Sequence, residues 1–201
     1  MDLAIIPAKH HSSEVPYKNF RALWREPLFL HSVRYAVKEG VPCVVSTDSE
    51  IIKGLCRRNN IPYLHEEVDD SNILNCVTQV VKKEKVDRWI LLQPTSPIRP
   101  PSLLKKLLSK NNENIMTVQK IYLHGKLGSR FIHKTRRQES SEILYQFNGS
   151  ILIGSYDMVM KEQTLFKNPL MVEQRGLYNY QIDYLEDFEH LERYGNLHCG
   201  E

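Results

Sequence analysis

The sequence predicts an α/β fold with a mainly parallel sheet and helices on both faces. Short, continuously apolar runs alternate with helix-periodic segments, and the alternation repeats at the spacing of βαβ units along most of the 201 residues. A composition of 41% hydrophobic and 25% charged residues is that of an ordinary globular chain. The length fits a single domain, residues 1–201.

The elements follow in order. Leu3–Ile6 is apolar throughout, as a strand buried on both faces must be. Residues 27–38 space Phe29, Val33, Ala36 and Val37 along one helical face, and Gly40 supplies a C-cap. Cys43–Val45 is the next buried strand. Thr47-Asp48-Ser49-Glu50 has the form of a capping box, predicting a helix from there through Arg58. A short strand at Pro62–Leu64 precedes a helix with Ile73, Leu74, Val77, Val80 and Val81 on one face. Trp89–Leu92 is the clearest strand, and Leu103, Leu104, Leu107 and Leu108 form the stripe of the following helix. After Ile115–Val118 the rhythm breaks: residues 120–147 are polar and predict an irregular excursion. The pattern resumes with a strand at Ser150–Ile153, a helix around 155–163 and a final helix at 186–194.

Composition also excludes classes of function. A net charge of +3 tolerates an anionic substrate, but there is no dense basic stripe for nucleic acid; Lys134-Thr135-Arg136-Arg137 is too short to be one. Cys43, Cys56, Cys76 and Cys199 lack zinc spacing and read as unpaired thiols of a reducing compartment. The start of the chain has neither the basic region nor the apolar stretch of a signal peptide, and no run reaches the ~20 apolar residues of a membrane span. The expectation is a cytoplasmic protein without membrane contact.

In an open parallel sheet, ligands bind beyond the carboxyl ends of the strands. The loop from Pro7 to Asn19 lies there, with Lys9 and Lys18 beside Ser12 and Ser13, a set able to neutralise phosphates. So do Gln93-Pro94-Thr95-Ser96-Pro97-Ile98-Arg99, after the Trp89–Leu92 strand, and Asn148-Gly149 with Asp183. Each also has a structural reading: a solvated turn, a helix-entry turn, or, for Asp183 with Glu186, a helix cap. P-loop and dinucleotide motifs are both missing, since the first glycine in the chain is Gly40.

Taken in order, these segments resemble the acylneuraminate cytidylyltransferases. Ile5-Ile6-Pro7-Ala8-Lys9 through Pro16-Tyr17-Lys18-Asn19 is similar to the family's opening motif, and Val45-Ser46-Thr47-Asp48 to its V-S-T-D. Leu91-Leu92-Gln93-Pro94-Thr95-Ser96-Pro97-Ile98-Arg99 is nearly identical to L-L-Q-P-T-S-P-L-R. Arg136-Arg137-Gln138, Asn148-Gly149-Ser150-Ile151 and Ile182-Asp183 with Asp187-Phe188-Glu189 resemble the remaining motifs.

The resemblance implies a Rossmann-like, three-layer nucleotide-diphospho-sugar transferase fold. It implies transfer of CMP from CTP to an acidic, sialic-acid-like sugar, assisted by Mg²⁺. Matching positions give Lys9, Ser12, Ser13, Lys18 and Asn19 to the nucleotide, with Lys9 also catalytic. Gln93, Arg137, Gln138 and Asn148 go to the sugar, and Asp183 becomes the catalytic metal carboxylate. The resemblance further implies a homodimer built through the 120–147 excursion. The chain departs from the family pattern where Lys9 replaces an arginine, Ser13-Glu14 replace Lys-Gly, and Gln181 replaces an aspartate. Two alternatives therefore stay open: another acceptor, such as KDO or a phosphonate, or a paralog that has lost catalysis and serves as a binding subunit.

Overall fold

The computed structural model describes residues 1–66, 72–110, 112–123 and 142–198. Strands β1 (Asp2–Pro7), β4 (Cys43–Thr47), β5 (Tyr63–His65) and β6 (Arg88–Leu91) alternate with helices α1 (Leu28–Lys38), α2 (Glu50–Arg58) and α3 (Ile73–Glu84). A two-stranded ribbon, β2 (Ala22–Leu23) and β3 (Glu26–Pro27), leads into α1. Beyond β6 come α4 (Leu103–Leu108), β7 (Ile115–Leu123), β8 (Glu142–Ser155), α5 (Tyr156–Met160), β9 (Leu170–Glu173) and α6 (Leu185–His198).

The sheet runs β5-β4-β1-β6-β8-β7-β9. β5, β4, β1 and β6 are parallel neighbours, β8 is antiparallel to β6 and β7, and β9 is parallel to β7. The expected mainly parallel sheet is present, with the one reversal at β8.

Side-chain alternation along the strands builds the two outer layers. Ala4, Ile6, Val45 and Ile90 face α1, α2 and α4 through Phe29, Val33, Ile52, Leu104 and Leu107. Leu3, Ile5, Val44, Trp89 and Leu91 face α3 and α5 through Val77, Val80, Val81, Met158 and Val159. A strand whose odd and even residues are both buried must read as a continuous apolar run, which is why β1 was visible from sequence. A third, smaller cluster of Val15, Leu23, Leu28, Ile182, Phe188 and Leu191 fastens α6 to the β2–β3 ribbon and the loop after β1.

Two helix ends are closed by different devices. At the end of α1, Gly40 sits at φ +73°, with Val41 N–H donating to Ala36 and Gly40 N–H to Val37, the paired bonds of a Schellman turn. The cap of α2 is Ser49 rather than Thr47: its hydroxyl accepts from Ile52 N–H at 3.4 Å. Thr47 is unavailable because its backbone still pairs with His65 as the last residue of β4.

The expected irregular stretch at 120–147 is regular at both margins. β7 continues to Leu123 and β8 begins at Glu142, paired antiparallel as far as Leu123 with Glu142. These arms carry exposed Leu144 and Tyr145 and a cross-strand Gln119–Gln146 amide bond of 2.9 Å. A ribbon held by backbone pairing needs no buried face, so it shows no apolar period. Arg137 and Gln138 lie outside the described residues. The strand β9 and the β2–β3 ribbon had no sequence signal; the ribbon's turn places Trp24 and Arg25 at φ 48° and 67° without a glycine.

Candidate active site

A cleft of about 470 Å³ opens beyond the carboxyl ends of β1, β5 and β6. Its wall includes Lys9, Ser12, Ser13, Lys18, Asn19, Gln93 and Asp183, brought together from the loops that the sequence singled out.

The loop after β1 is fixed before it reaches the cleft. Ala8 N–H extends the pairing with β4 by donating to Ser46 at 2.8 Å. His10 N–H then donates to the Asp48 carboxylate at 2.7 Å, and the His10 ring lies 3.0 Å from the Ser49 hydroxyl. These contacts tie His10 to the start of α2, while Lys9, His11, Ser12 and Ser13 line the cleft. Asn19 closes the loop, its side-chain amide donating to the Lys9 carbonyl at 2.9 Å. Glu14 is exposed and is not part of the cleft wall.

Lys9 meets Glu66, whose carboxylate is 3.5 Å from the ammonium and nearly inaccessible to solvent. Glu66 arrives just after β5, with its N–H on the Thr47 carbonyl at 3.1 Å. Cys76 of α3 lies on the same wall, its thiol pushed up to about 12, chiefly by burial and secondarily by Glu66.

The opposite wall comes from the segment before α6. Ile182 N–H donates to the Thr95 carbonyl at 2.8 Å, docking this segment on the loop after β6. Lys18 holds it from the other side, donating to the carbonyls of Ile182 at 3.1 Å and Asp183 at 3.2 Å. Burial draws the Lys18 ammonium below its usual value, while Asp183, Asp187 and Glu14 pull the other way. The helix-capping role considered for Asp183 belongs to Asp187, which accepts from the N–H groups of Asp183 and Tyr184 at 2.8 Å each. The Asp183 side chain is left exposed on the cleft.

Behind the cleft, Asn148 is fully buried. Its oxygen accepts from Thr117 at 2.7 Å and from Ser150 N–H at 3.2 Å; its amide donates to Gln174 and, at 2.9 Å, to Asn179. Asn148 is not on the cleft wall; the next residue is what brings this strand close. Gly149 stands at φ +70°, and a Cβ there would lie 2.5 Å from the Gln181 amide and 2.7 Å from the Gln93 amide oxygen. The two glutamine side chains thus converge over a bare backbone. Arg99 braces the same region from within. It donates to the carbonyls of Gln93 at 2.7 Å and Ser150 at 2.9 Å, and to the Ser32 hydroxyl at 3.0 Å. Burial brings its guanidinium down to about 10.

Glu66 and Cys76 were missed by sequence reasoning. The carboxyl end of the third parallel strand was a signal available for Glu66, but His65-Glu66-Glu67-Val68 resembles only a reduced form of the family's R-P-x-E-L segment, which assigns Glu66 no role. Cys76 reads only as one more apolar residue of an amphipathic helix.

The fold with this cleft is that of the nucleotide-sugar transferases. A CMP:2-keto-3-deoxy-manno-octonic acid synthetase complexed with CTP superposes with a TM-score of 0.75 at 14% identity, covering 98% of this chain and 99% of the other. The family model described as cytidylyltransferase matches residues 3–199, and the chain belongs to that family. It is 27% identical to the CMP-N,N'-diacetyllegionaminic acid synthase of Legionella pneumophila, over 83% of each chain. It is 24% identical to the N-acylneuraminate cytidylyltransferase of Streptococcus agalactiae serotype V, over 94% of this chain and 52% of that one. The chain thus spans about half the length of that streptococcal relative. Among the described residues, no helix is long and apolar enough to cross a membrane.

Proposed function

We propose that this chain transfers a cytidylyl group from CTP to an acidic sugar of the sialic-acid-like nonulosonic class, releasing pyrophosphate. The observation that carries the proposal is one cleft with Lys9, Ser12 and Ser13 on one wall and Asp183 with Gln93 on the other. The names of the relatives supply the substrate class: an acylneuraminate in one, a legionaminic acid in another.

In this reading a sugar hydroxyl oxygen attacks the α-phosphorus of CTP. A new P–O bond forms, the bond to the bridging oxygen breaks with its electron pair leaving on pyrophosphate, and the hydroxyl proton passes to the medium. What the protein must supply is position and charge compensation. Lys9 offers a compact cation to the phosphates, held at the rim by Glu66. Ser12 and Ser13 offer hydroxyl donors beside it. Asn19 acts through the Lys9 backbone, and Lys18 through the segment bearing Asp183, so both assemble the nucleotide site. Gln93 orients the sugar, and Asn148 supports the sugar site from behind, through Gly149. Arg137 and Gln138 are assigned to the sugar by motif alone.

The resemblance also implies Mg²⁺, and the donor set fits. Mg²⁺ takes one or two carboxylates besides phosphate oxygens and water. Asp183 presents an exposed carboxylate and Gln181 an amide on the same wall. Bound there, the ion neutralises charge that accumulates on the phosphate oxygens.

The same proposal extends to a homodimer, with the exposed Leu144 and Tyr145 of the β7–β8 arms at its interface. One observation favours a second reading, a member without catalysis serving as a partner subunit: Gln181, on the cleft wall, is an amide at the position that the resemblance gives to a second metal aspartate.

Calorimetric titration with CTP, and with UTP, GTP and ATP as controls, each with and without Mg²⁺, separates the two. Selective CTP binding strengthened by Mg²⁺, followed by pyrophosphate release with nonulosonic acids, supports the enzyme. Binding of no nucleotide supports the partner subunit.

A further inference from the structure

Arg99 is a buried cation, 7% exposed, and no carboxylate pairs with it among the described residues; its bonds go to two carbonyls and a hydroxyl. Its guanidinium lies over the Tyr35 ring, 5.5 Å from the centroid. Proteins usually neutralise a charge held this deep. Arg99 also forms part of the wall of a second cavity, about 420 Å³, which opens between α1 and the turn into α4 and shares no lining residue with the cleft.

The remaining charges of that cavity are unbalanced. Lys38 and Lys105 stand exposed at its mouth, and Arg34 joins them from α1, paired to Glu26 across the ribbon. The lining carboxylate, Glu39, is buried and turned to other work: its oxygens accept from Ser102 N–H at 2.7 Å and Lys105 N–H at 3.1 Å. A deep planar donor, two flexible lysines and a satisfied carboxylate form a funnel of positive potential into a concave site.

We propose that this cavity is a second anion site, taking a phosphate-class oxyanion, and that it is separate from the CTP cleft. Arg99 supplies the buried donor, Lys38 and Lys105 the capture charges. The site is linked to the cleft through Arg99, which donates to the backbone of Gln93, whose side chain lines the cleft. An anion that draws on Arg99 alters the hold on Gln93.

Inorganic phosphate titrated calorimetrically into the full chain tests this, with the ¹⁵Nε resonance of Arg99 followed in parallel. Three chains are compared: the parent, Lys9→Ala in the cleft, and Lys38→Ala/Lys105→Ala at the second cavity. The expected result is a shift of the Arg99 resonance on binding, an affinity kept within about twofold in Lys9→Ala, and at least a tenfold loss in the double variant. Both lysines are exposed, so the double variant folds as the parent does. Unchanged affinity in the double variant, complete loss in Lys9→Ala, or no binding to the parent at millimolar phosphate each overturns the proposal.

Discussion

Lys18 holds Asp183 by its backbone: the buried ammonium donates to the Asp183 carbonyl at 3.2 Å, and to that of Ile182 at 3.1 Å. The lysine of the first loop therefore sets the position of the far wall of the cleft. Lys18→Met keeps the apolar stem but leaves those carbonyls without their donor. Bonds to charged groups contribute about 1.5–3 kcal/mol each, and removing the buried ammonium also relieves its desolvation cost, which offsets part of the two bonds lost. Unfolding in denaturant is expected to show a loss of about 2–3 kcal/mol, and pyrophosphate release to fall ~10–100-fold as Asp183 loses its register. A variant with parent-like stability and activity shows the tether to be dispensable.

Asp183 itself contributes little to the fold, because its carboxylate is exposed and Asp187 does the capping. Asp183→Asn is expected to change stability by no more than about 0.5 kcal/mol. The same substitution is expected to lower CMP transfer ~100–1,000-fold and to abolish the Mg²⁺ enhancement of CTP binding. Calorimetry with and without the ion checks the second effect independently of turnover. Retained enhancement shows that the Asp183 carboxylate holds no Mg²⁺.

The sequence reading was strongest where residues are buried on both sides. β1, β4 and β6 announce themselves because each is apolar on both faces through its centre, whereas the β7–β8 arms, held by backbone bonds with Leu144 and Tyr145 in solvent, carry no such run. Site residues followed the same logic in reverse. Lys9, Ser12 and Gln93 could be placed on the cleft because their loops leave the carboxyl ends of buried strands. Asn148 is assigned to the sugar through its likeness to the family's N-G-A-I motif, and its side-chain bonds go to Thr117, Ser150, Gln174 and Asn179. Nothing local separates a buried asparagine from an exposed one; only the partners, drawn from distant positions, decide. Arg99 was read as the end of a motif, and its role as a brace depends on Ser150 and Ser32, far away in the chain.

Gly149 offers a sharp test of the cleft floor. Alanine there would meet both the Gln181 and Gln93 side chains at under 3 Å, at a backbone angle that L-residues adopt at a cost of ~1–2 kcal/mol. Gly149→Ala is expected to lower stability by about 1–3 kcal/mol. If Gln93 orients the sugar, KM for the sugar also rises by at least ~10-fold, with a smaller change in KM for CTP. Equal effects on both substrates place Gln93 with the nucleotide.

The loop after β1 departs from its family pattern at Ser13 and Glu14, and the two positions differ in placement. Ser13 lines the cleft, whereas Glu14 is exposed yet close enough for its charge to act on Lys18. Restoring the pattern with Ser13→Lys and Glu14→Gly adds a cation where phosphates are expected and removes a carboxylate from its neighbourhood. The double variant is expected to bind CTP ~5–50-fold more tightly at low ionic strength, with most of the gain lost at 1 M salt, where the Debye length falls to about 3 Å. Ser13→Lys alone should account for most of that gain. No gain from either change shows that these residues do not limit nucleotide binding.

His31 gives the fold a pH dependence of known sign. Its Nε2 donates to the Leu23 carbonyl at 3.0 Å, and its ring meets Trp24 edge-on at 5.5 Å. Burial draws the imidazole below 6.5, outweighing the Leu23 bond and Glu26. A histidine depressed in the folded state takes up its proton first in the unfolded chain. Its contribution to stability is therefore complete above pH 6.5 and is lost as pH falls through the folded value, at no more than about 1.4 kcal/mol per pH unit. Trp24 also donates from its indole to Leu191 at 2.8 Å and from its backbone to Glu192, so the charge arises beside the joint that seats α6. Tryptophan fluorescence and the His31 ring resonances are expected to titrate together, with a midpoint under 6.5. His31→Gln, which keeps a donor for Leu23 without the proton, is expected to flatten the stability profile below pH 6.5. A parent-like acid slope in that variant transfers the effect to the carboxylates.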